Sequence, residues 1–287
     1  MIVHAVDGTF ELFRHFYGLR RFTQGTDRPF GGVIGVLQTV LQMLEQGATH
    51  IGVATDHVIE SFRNDLWEGY KTGEGLDPAL WAQFHPLEKA LAAMGVAVWP
   101  MIELEADDAL ASAAWIAAKD RRVEKVCIWT VDKDLAQCVR GERVVQVDRR
   151  AKKIIDAKGV RDKFGVESTL IPDYLALVGD ASDGYPGLPG WGAKSAAAVL
   201  ARFGHLEAIP HSARDWHVNA SRADTLAATL VKQRDLALLF RTLATLRTDI
   251  PLFDSIDALA WSGPTDAFPA IAKRLDAAVS SGVERTR

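Results

Sequence analysis

The chain has 287 residues, 48% of them apolar, which is enough to build a sizeable core and excludes a disordered segment. Its formal net charge of −4 argues against a strongly basic protein that coats nucleic acid without selectivity. No apolar run is long enough to cross a bilayer, and the N-terminus lacks a signal-peptide pattern. The two cysteines, Cys127 and Cys138, show no zinc or redox spacing, so a cytoplasmic protein without a membrane role is expected.

In chain order, residues 2–6 read as a buried, β-branched strand, and 33–44 are apolar at helical spacing. A second strand is expected at 51–54, helices at 87–94 and 106–118, and a third strand at 126–131. A weaker strand follows at 143–147. Strands alternating with helices indicate βαβ units and a parallel sheet. From about Tyr174 onward the pattern becomes helices separated by short Gly/Pro turns. The expected fold class is therefore α/β, a central parallel sheet flanked by helices, with a helical C-terminal region. The division falls near 168–173, giving residues 1–172 and 173–287. The stretch after about Leu252 has no reading beyond packing.

The acids fall at informative places. Asp7 follows the first strand, Asp56 comes just after the second, and Asp132 follows the third. In a parallel sheet the carboxyl ends of the strands share one edge, where ligands bind. Any one of these acids is explained by helix capping, but three in register ask for more. Glu105, Asp107 and Asp108 open the helix at 106–118, and their mutual repulsion exceeds what a cap needs. Asp180 and Asp183 form a further i, i+3 pair in a Gly-flanked turn, and Asp134 lies two residues after Asp132.

Nine hard oxygen ligands without His or Cys nearby select Mg²⁺ or Mn²⁺ over zinc. They are too many for one Mg²⁺ and suit two, one activating water and one steadying the leaving oxygen of a phosphodiester. With those acids gathered in a metal site, the remainder of the chain is positive, so the acidic total does not exclude DNA. Neither a Ser/His/Asp or Cys/His signature nor a P-loop or dinucleotide fingerprint is present.

The ordered series of motifs resembles the bacterial and phage 5′-nuclease family, relatives of the eukaryotic flap endonucleases and of the nuclease domain attached to bacterial DNA polymerase I. It consists of Val6-Asp7-Gly8-Thr9, Ser61-Phe62-Arg63 leading to Gly69-Tyr70-Lys71, Glu105-Ala106-Asp107-Asp108 and Thr130-Val131-Asp132-Lys133-Asp134-Leu135. Gly179-Asp180-Ala181-Ser182-Asp183-Gly184, the turn Pro186-Gly187-Leu188-Pro189-Gly190-Trp191-Gly192-Ala193-Lys194-Ser195-Ala196 and the stretch 243–249 complete it. The likeness runs from Val3 to about Leu252. With no polymerase motif following, a free-standing relative is expected.

The resemblance implies a PIN-like nuclease fold and two-metal cleavage of DNA as 5′→3′ exonuclease and 5′-flap endonuclease, in replication and repair. It assigns Asp7, Asp56, Glu105, Asp107 and Asp108 to one Mg²⁺ or Mn²⁺. Asp134, Asp180 and Asp183 go to the second, with Asp132 near both. Flaps, nicks, gaps, frayed 5′ ends and RNA-primed ends are the implied substrates, with no obligate protein partner.

A gateway for the 5′ single strand is expected around 62–86. There Arg63 would contact DNA, Tyr70 would stack on an unpaired base, and Lys71 would face the scissile phosphate. Many relatives carry a second basic residue about three positions after that lysine, where this chain has Glu74, which weakens the gateway's hold on phosphate. Residues 187–195 have the form of a helix–hairpin–helix turn. In the family this is a helix-three-turn-helix region that grips duplex DNA and often binds K⁺. Gly190 and Gly192 let the backbone approach a phosphate, while Lys194 and Ser195 begin the following helix.

Trp67, Trp81, Trp99, Trp115 and Trp129 read as packing residues, and Trp191 stands in the hairpin turn, where it can pack beneath it. The eight histidines show no metal spacing and are assigned no role. A PIN-type ribonuclease and a branched-DNA-binding module that no longer cuts are the alternatives. The hairpin turn speaks against the first and the complete acid set against the second.

Overall fold

A computed structural model describes residues 1–23 and 29–284, with side chains at 1–19 and 29–277. The elements run β1 (Ile2–Asp7), α1 (Gly8–Thr23), α2 (Gly31–Glu45), β2 (His50–Asp56), α3 (Phe62–Leu66), α4 (Pro78–Trp81), α5 (Phe84–Ala93), β3 (Ala97–Met101), α6 (Ala106–Lys119) and β4 (Lys125–Trp129). They continue with β5 (Val144–Asp148), β6 (Lys153–Ile155), α7 (Ala157–Phe164), α8 (Ile171–Val178), α9 (Ala193–Phe203), α10 (Ala223–Lys232), α11 (Arg234–Ala244) and α12 (Phe268–Glu284). The chain divides into two compact units. The first comprises Met1–Ile59, Gly73–Thr130 and Thr248–Arg287, and the second Glu60–Thr72 and Val131–Arg247. No described helix is long and apolar enough to cross a membrane.

In the first unit the strands lie in the order β3-β2-β1-β4, and every pairing is parallel. Ala5 stands opposite Gly52 on one side and Ile128 on the other. Strands covered on both faces read as continuous apolar runs, which is how β1, β2 and β4 are visible in the sequence. Val6, Ile51 and Val53 join α1, α2 and α5 in one core. The alanine-rich helix α6 buries Ala109, Leu110, Ala113 and Ala117. At Gly8 an added Cβ would lie 2.8 Å from the Ala54 carbonyl oxygen, so only glycine lets α1 start so close to β2.

Strand β3 was not expected, and Pro100 explains why. Proline cannot donate to a ladder and argues against a strand, yet β3 is an edge strand, where proline is tolerated. The last part of the chain also belongs to this unit. The Trp261 N–H donates to the Thr49 carbonyl at 2.8 Å, the Thr265 N–H to that of Ala93 at 2.8 Å, and Leu275 of α12 is buried in the core.

The second unit contains the antiparallel pair β5–β6 and the helices α3 and α7–α11. Its core gathers Leu175 and Leu177 of α8, Leu200 of α9, Trp216, and Phe240 of α11. Helix α8 is buried almost throughout and carries one charged residue, Asp173. That carboxylate is paired with Arg241 at 3.1 Å and His205 at 2.8 Å, which offsets the cost of burying it. The compact units and the division at 172/173 cut the chain differently, because the units group residues by packing while the sequence groups them by element type.

Candidate active site

The first unit carries Asp7, Asp56, Glu105, Asp107 and Asp108 at the carboxyl ends of its strands and the start of α6. Asp7 ends β1, and its Oδ1 accepts the Phe10 N–H at 2.8 Å, capping α1. Its Oδ2 accepts the Thr130 hydroxyl at 3.0 Å. Asp56 ends β2; its Oδ1 accepts the Ala106 N–H at 2.8 Å, and its own N–H donates to Thr9 Oγ1 at 2.8 Å. Glu105 and Asp108 form a reciprocal capping box, with the Glu105 N–H donating to Asp108 Oδ2 at 3.0 Å. Asp7, Glu105 and Asp108 are buried, while Asp56 and Asp107 are partly exposed. These acids thus cap helices as well as gathering charge. An ionised carboxylate has two acceptor oxygens, which can serve a helix-end N–H and a cation together.

The second unit holds the remaining acids more tightly. Ligand oxygens of Asp134, Asp180 and Asp183 lie within 4.8 Å of one another, and all three residues are buried. Among the described residues the five acids of the first unit form no group that close. Asp180 and Asp183 stand in a turn closed by paired backbone hydrogen bonds between Asp180 and Tyr185, at 2.8 and 3.0 Å. Asp134 begins a 3₁₀ turn, and its N–H donates to Asp132 Oδ1 at 3.0 Å. Asp132 itself is exposed, its carbonyl held by Gln146 Nε2 at 2.6 Å.

Two lysines meet this group. Lys71 Nζ lies 3.0 Å from Asp183 Oδ1, and Lys133 Nζ lies 2.8 Å from Asp180 Oδ1. Lys71 is delivered by a close backbone approach. A Cβ at Gly184 would sit 2.0 Å from the Gly69 carbonyl oxygen, and Gly184 has φ +82°, so glycine is required there. Trp67 Nε1 donates to the Gly184 carbonyl at 3.1 Å and the Lys71 N–H to that of Asp183 at 3.0 Å, which fixes the register.

The electrostatics follow from this crowding. Burial, then the charges of Asp132, Asp183 and Asp180, push the Asp134 carboxyl well above the ordinary carboxylate value. Asp134 Oδ1 is buried with no hydrogen bond. Burial works against the charge on Lys133, but its hydrogen bond to Asp180 and the surrounding acids outweigh it and raise its pKa. Burial and the same four aspartates raise the Tyr185 phenol. A buried oxygen without a donor, among repelling carboxylates, fits a hard divalent cation.

The sequence missed Lys133 and Tyr185. A lone lysine between two acids reads as a solvated residue, and only the fold brings it to Asp180. It also missed a second group of potential ligands, His57, His85 and Glu88, which the first unit brings together.

Two expected DNA contacts are corrected. Arg63 is 1% exposed, and its Nε donates to the Leu243 carbonyl at 2.8 Å while Nη2 donates to that of Thr245 at 3.2 Å. It clamps the end of α11 and offers no surface to a strand. Tyr70 is 3% exposed and belongs to the core of the second unit, so no ring face is open to a base. Lys71 remains about a third exposed.

In the turn at 187–195, Gly190 and Lys194 are exposed, Gly192 and Ser195 partly so. Gly190 has φ +84°, and the Gly192 N–H donates to Ser195 Oγ at 3.1 Å, capping α9. Trp191 packs beneath the turn, 5.8 Å from Trp216 between ring centroids. Glu74 is exposed.

A family model described as the 5′-3′ exonuclease N-terminal resolvase-like domain matches residues 2–165, and one for the 5′-3′ exonuclease C-terminal SAM fold matches 166–267. DNA polymerase I of Pseudomonas aeruginosa is 34% identical over 276 residues, covering 94% of this chain but 30% of the polymerase. The 5′-3′ exonuclease of Buchnera aphidicola subsp. Baizongia pistaciae is 33% identical over 248 residues, covering 85% of this chain and 81% of that protein. Among solved structures, bacteriophage T5 5′-exonuclease with bound zinc is 18% identical, with TM-score 0.65 and 97% and 100% of the two chains covered. The catalytic core of Rad2 in complex with DNA substrate is 17% identical, with TM-score 0.62 and 95% and 86% covered. The expected α/β, PIN-like part followed by a helical part is the architecture of these proteins, and the chain belongs to the 5′-3′ exonuclease family.

Proposed function

We propose that this family member is a structure-specific 5′ nuclease that hydrolyses DNA phosphodiesters as 5′→3′ exonuclease and 5′-flap endonuclease, with two Mg²⁺ or Mn²⁺. One observation carries the reading: Asp134, Asp180 and Asp183 converge with a buried, unbonded oxygen at Asp134 and with Lys71 on Asp183. Family membership and the DNA complex of the T5 flap endonuclease, a similar fold, support it.

Asp134, Asp180 and Asp183 would hold one cation, with Asp132 beside Asp134, and Asp7, Asp56, Glu105, Asp107 and Asp108 the other. When bound, divalent ions supply an activated water and neutralise the leaving oxygen. Lys71 keeps a positive charge at the cluster, where it stabilises the phosphate as negative charge develops. Thr130 and the Phe10 N–H orient Asp7, and the Ala106 N–H orients Asp56. Residues 1–172, together with Asp180 and Asp183, would carry the chemistry. The exposed turn at 187–195, within 173–287, would hold a duplex by its backbone without reading sequence, with K⁺ on its carbonyls.

Matched DNA and RNA 5′ flaps, offered to the native protein and to Asp132→Ala, test this. Cleavage of the DNA flap by the native protein alone, with binding kept in the variant, is expected. Undiminished cleavage by Asp132→Ala would overturn the metal assignment, and preference for the RNA flap the substrate.

A further inference from the structure

The histidines, which show no spacing in the sequence, yield a second ligand group once folded. His57 follows β2, and His85 and Glu88 sit three apart on one face of α5. His57 Nδ1 lies 2.9 Å from Glu88 Oε2, and His85 Nδ1 lies 3.7 Å from the same oxygen. The two imidazole rings meet edge to face at 4.2 Å between centroids. Four ligands arranged tetrahedrally at zinc distances are roughly 3.3 Å from one another, so the separations of Glu88 from the two histidines bracket what such an ion needs.

Glu88 is buried, and its other oxygen, Oε1, accepts the Thr55 hydroxyl at 3.1 Å. That bond fixes the carboxylate from behind, as partners of metal ligands do. His57 and His85 are partly exposed, which leaves a side open for an ion to enter and for water to complete its shell.

We propose that His57, His85 and Glu88 bind one zinc-class divalent cation, at a site chemically unlike the all-oxygen acid groups. Imidazole nitrogen selects Zn²⁺ or Co²⁺ over Mg²⁺, so the two kinds of site load with different metals from the same solution. His57 adjoins Asp56, and an ion on His57 and α5 pins the turn that follows Asp56.

The full-length protein is titrated with Zn²⁺, and separately with Co²⁺, in millimolar Mg²⁺ that occupies the carboxylate sites. One equivalent is expected to bind, with visible Co²⁺ bands of tetrahedral intensity. His85→Ala, at a half-exposed ring, and Glu88→Gln lose that equivalent. Asp180→Asn/Asp183→Asn keeps it, and Thr55→Val weakens it on the order of tenfold or more. Thermal melting in EDTA checks that each variant is folded. No Zn²⁺ or Co²⁺ binding under Mg²⁺, or equal binding by folded His85→Ala, overturns the proposal and leaves a hydrogen-bonded His–Glu pair. Flap cleavage is not part of the readout, so this result stands apart from the nuclease reading.

Discussion

Asp7 and Asp56 each accept a backbone N–H in the first unit, whereas Asp134 in the second leaves a buried oxygen without a donor. The first set therefore serves the fold as well as the site. It caps α1 and α6, and its charge is partly spent on dipoles that folding would have to satisfy anyway. The second set has lysines on Asp180 and Asp183 but repels internally, so burial and like charge raise the Asp134 carboxyl. A group that costs stability in the folded state and still stands in it is what a binding site looks like before its ligand is counted.

Substitutions in each unit put that contrast to the test. Lys71→Ala should have the largest effect, a loss in single-turnover cleavage of about 10²–10³, as when one charge-stabilising donor is removed, with flap affinity little changed. An unchanged rate would reduce Lys71 to a partner of Asp183.

Arg63→Ala should lower stability by about 2–3 kcal/mol, because the Leu243 and Thr245 carbonyls lose buried donors. Urea unfolding measures this. A folded variant of native stability with lost DNA binding would restore Arg63 as a DNA contact. Thr130→Val removes the hydroxyl on Asp7 Oδ2 and should cost roughly 1 kcal/mol. The expected readout is a small fall in melting temperature with a moderate rate loss. A rate loss as large as that of Lys71→Ala would mean Thr130 acts directly on the substrate.

Asp134→Asn should give the smallest and opposite shift, raising the melting temperature in EDTA by roughly 2–4 °C for about 1 kcal/mol. The pH dependence has a definite sign. Because the folded pKa of Asp134 lies above its unfolded value, the folded state holds the proton better. That stability is complete below the ordinary carboxylate value and is lost as pH rises through the folded one. In EDTA the native protein should thus lose stability with rising pH more steeply than Asp134→Asn. Parallel pH curves would show that the aspartates do not repel as described.

Much of this contrast was legible in the sequence. The strands that carry Asp7 and Asp56 are buried on both faces, so their apolar runs mark them and place the acids at their ends. Asp180 and Asp183 were found through spacing and motif order. Strand β3 was hidden by Pro100, which only its edge position permits. Arg63 and Tyr70 were misassigned because residue type and motif do not reveal burial, and both side chains turn inward in the second unit. Lys133 and the histidine group are invisible in the sequence because Lys133 and Asp180, and His57 and the His85–Glu88 pair, lie tens of residues apart, and only folding brings them within reach.

The most direct measurement is cleavage of a 5′-flap DNA, labelled at each end in turn, with Mg²⁺ and with EDTA. Cutting near the branch that depends wholly on the metal is expected. Tight flap binding without cutting in Mg²⁺ or Mn²⁺, or cutting that survives EDTA, would contradict it.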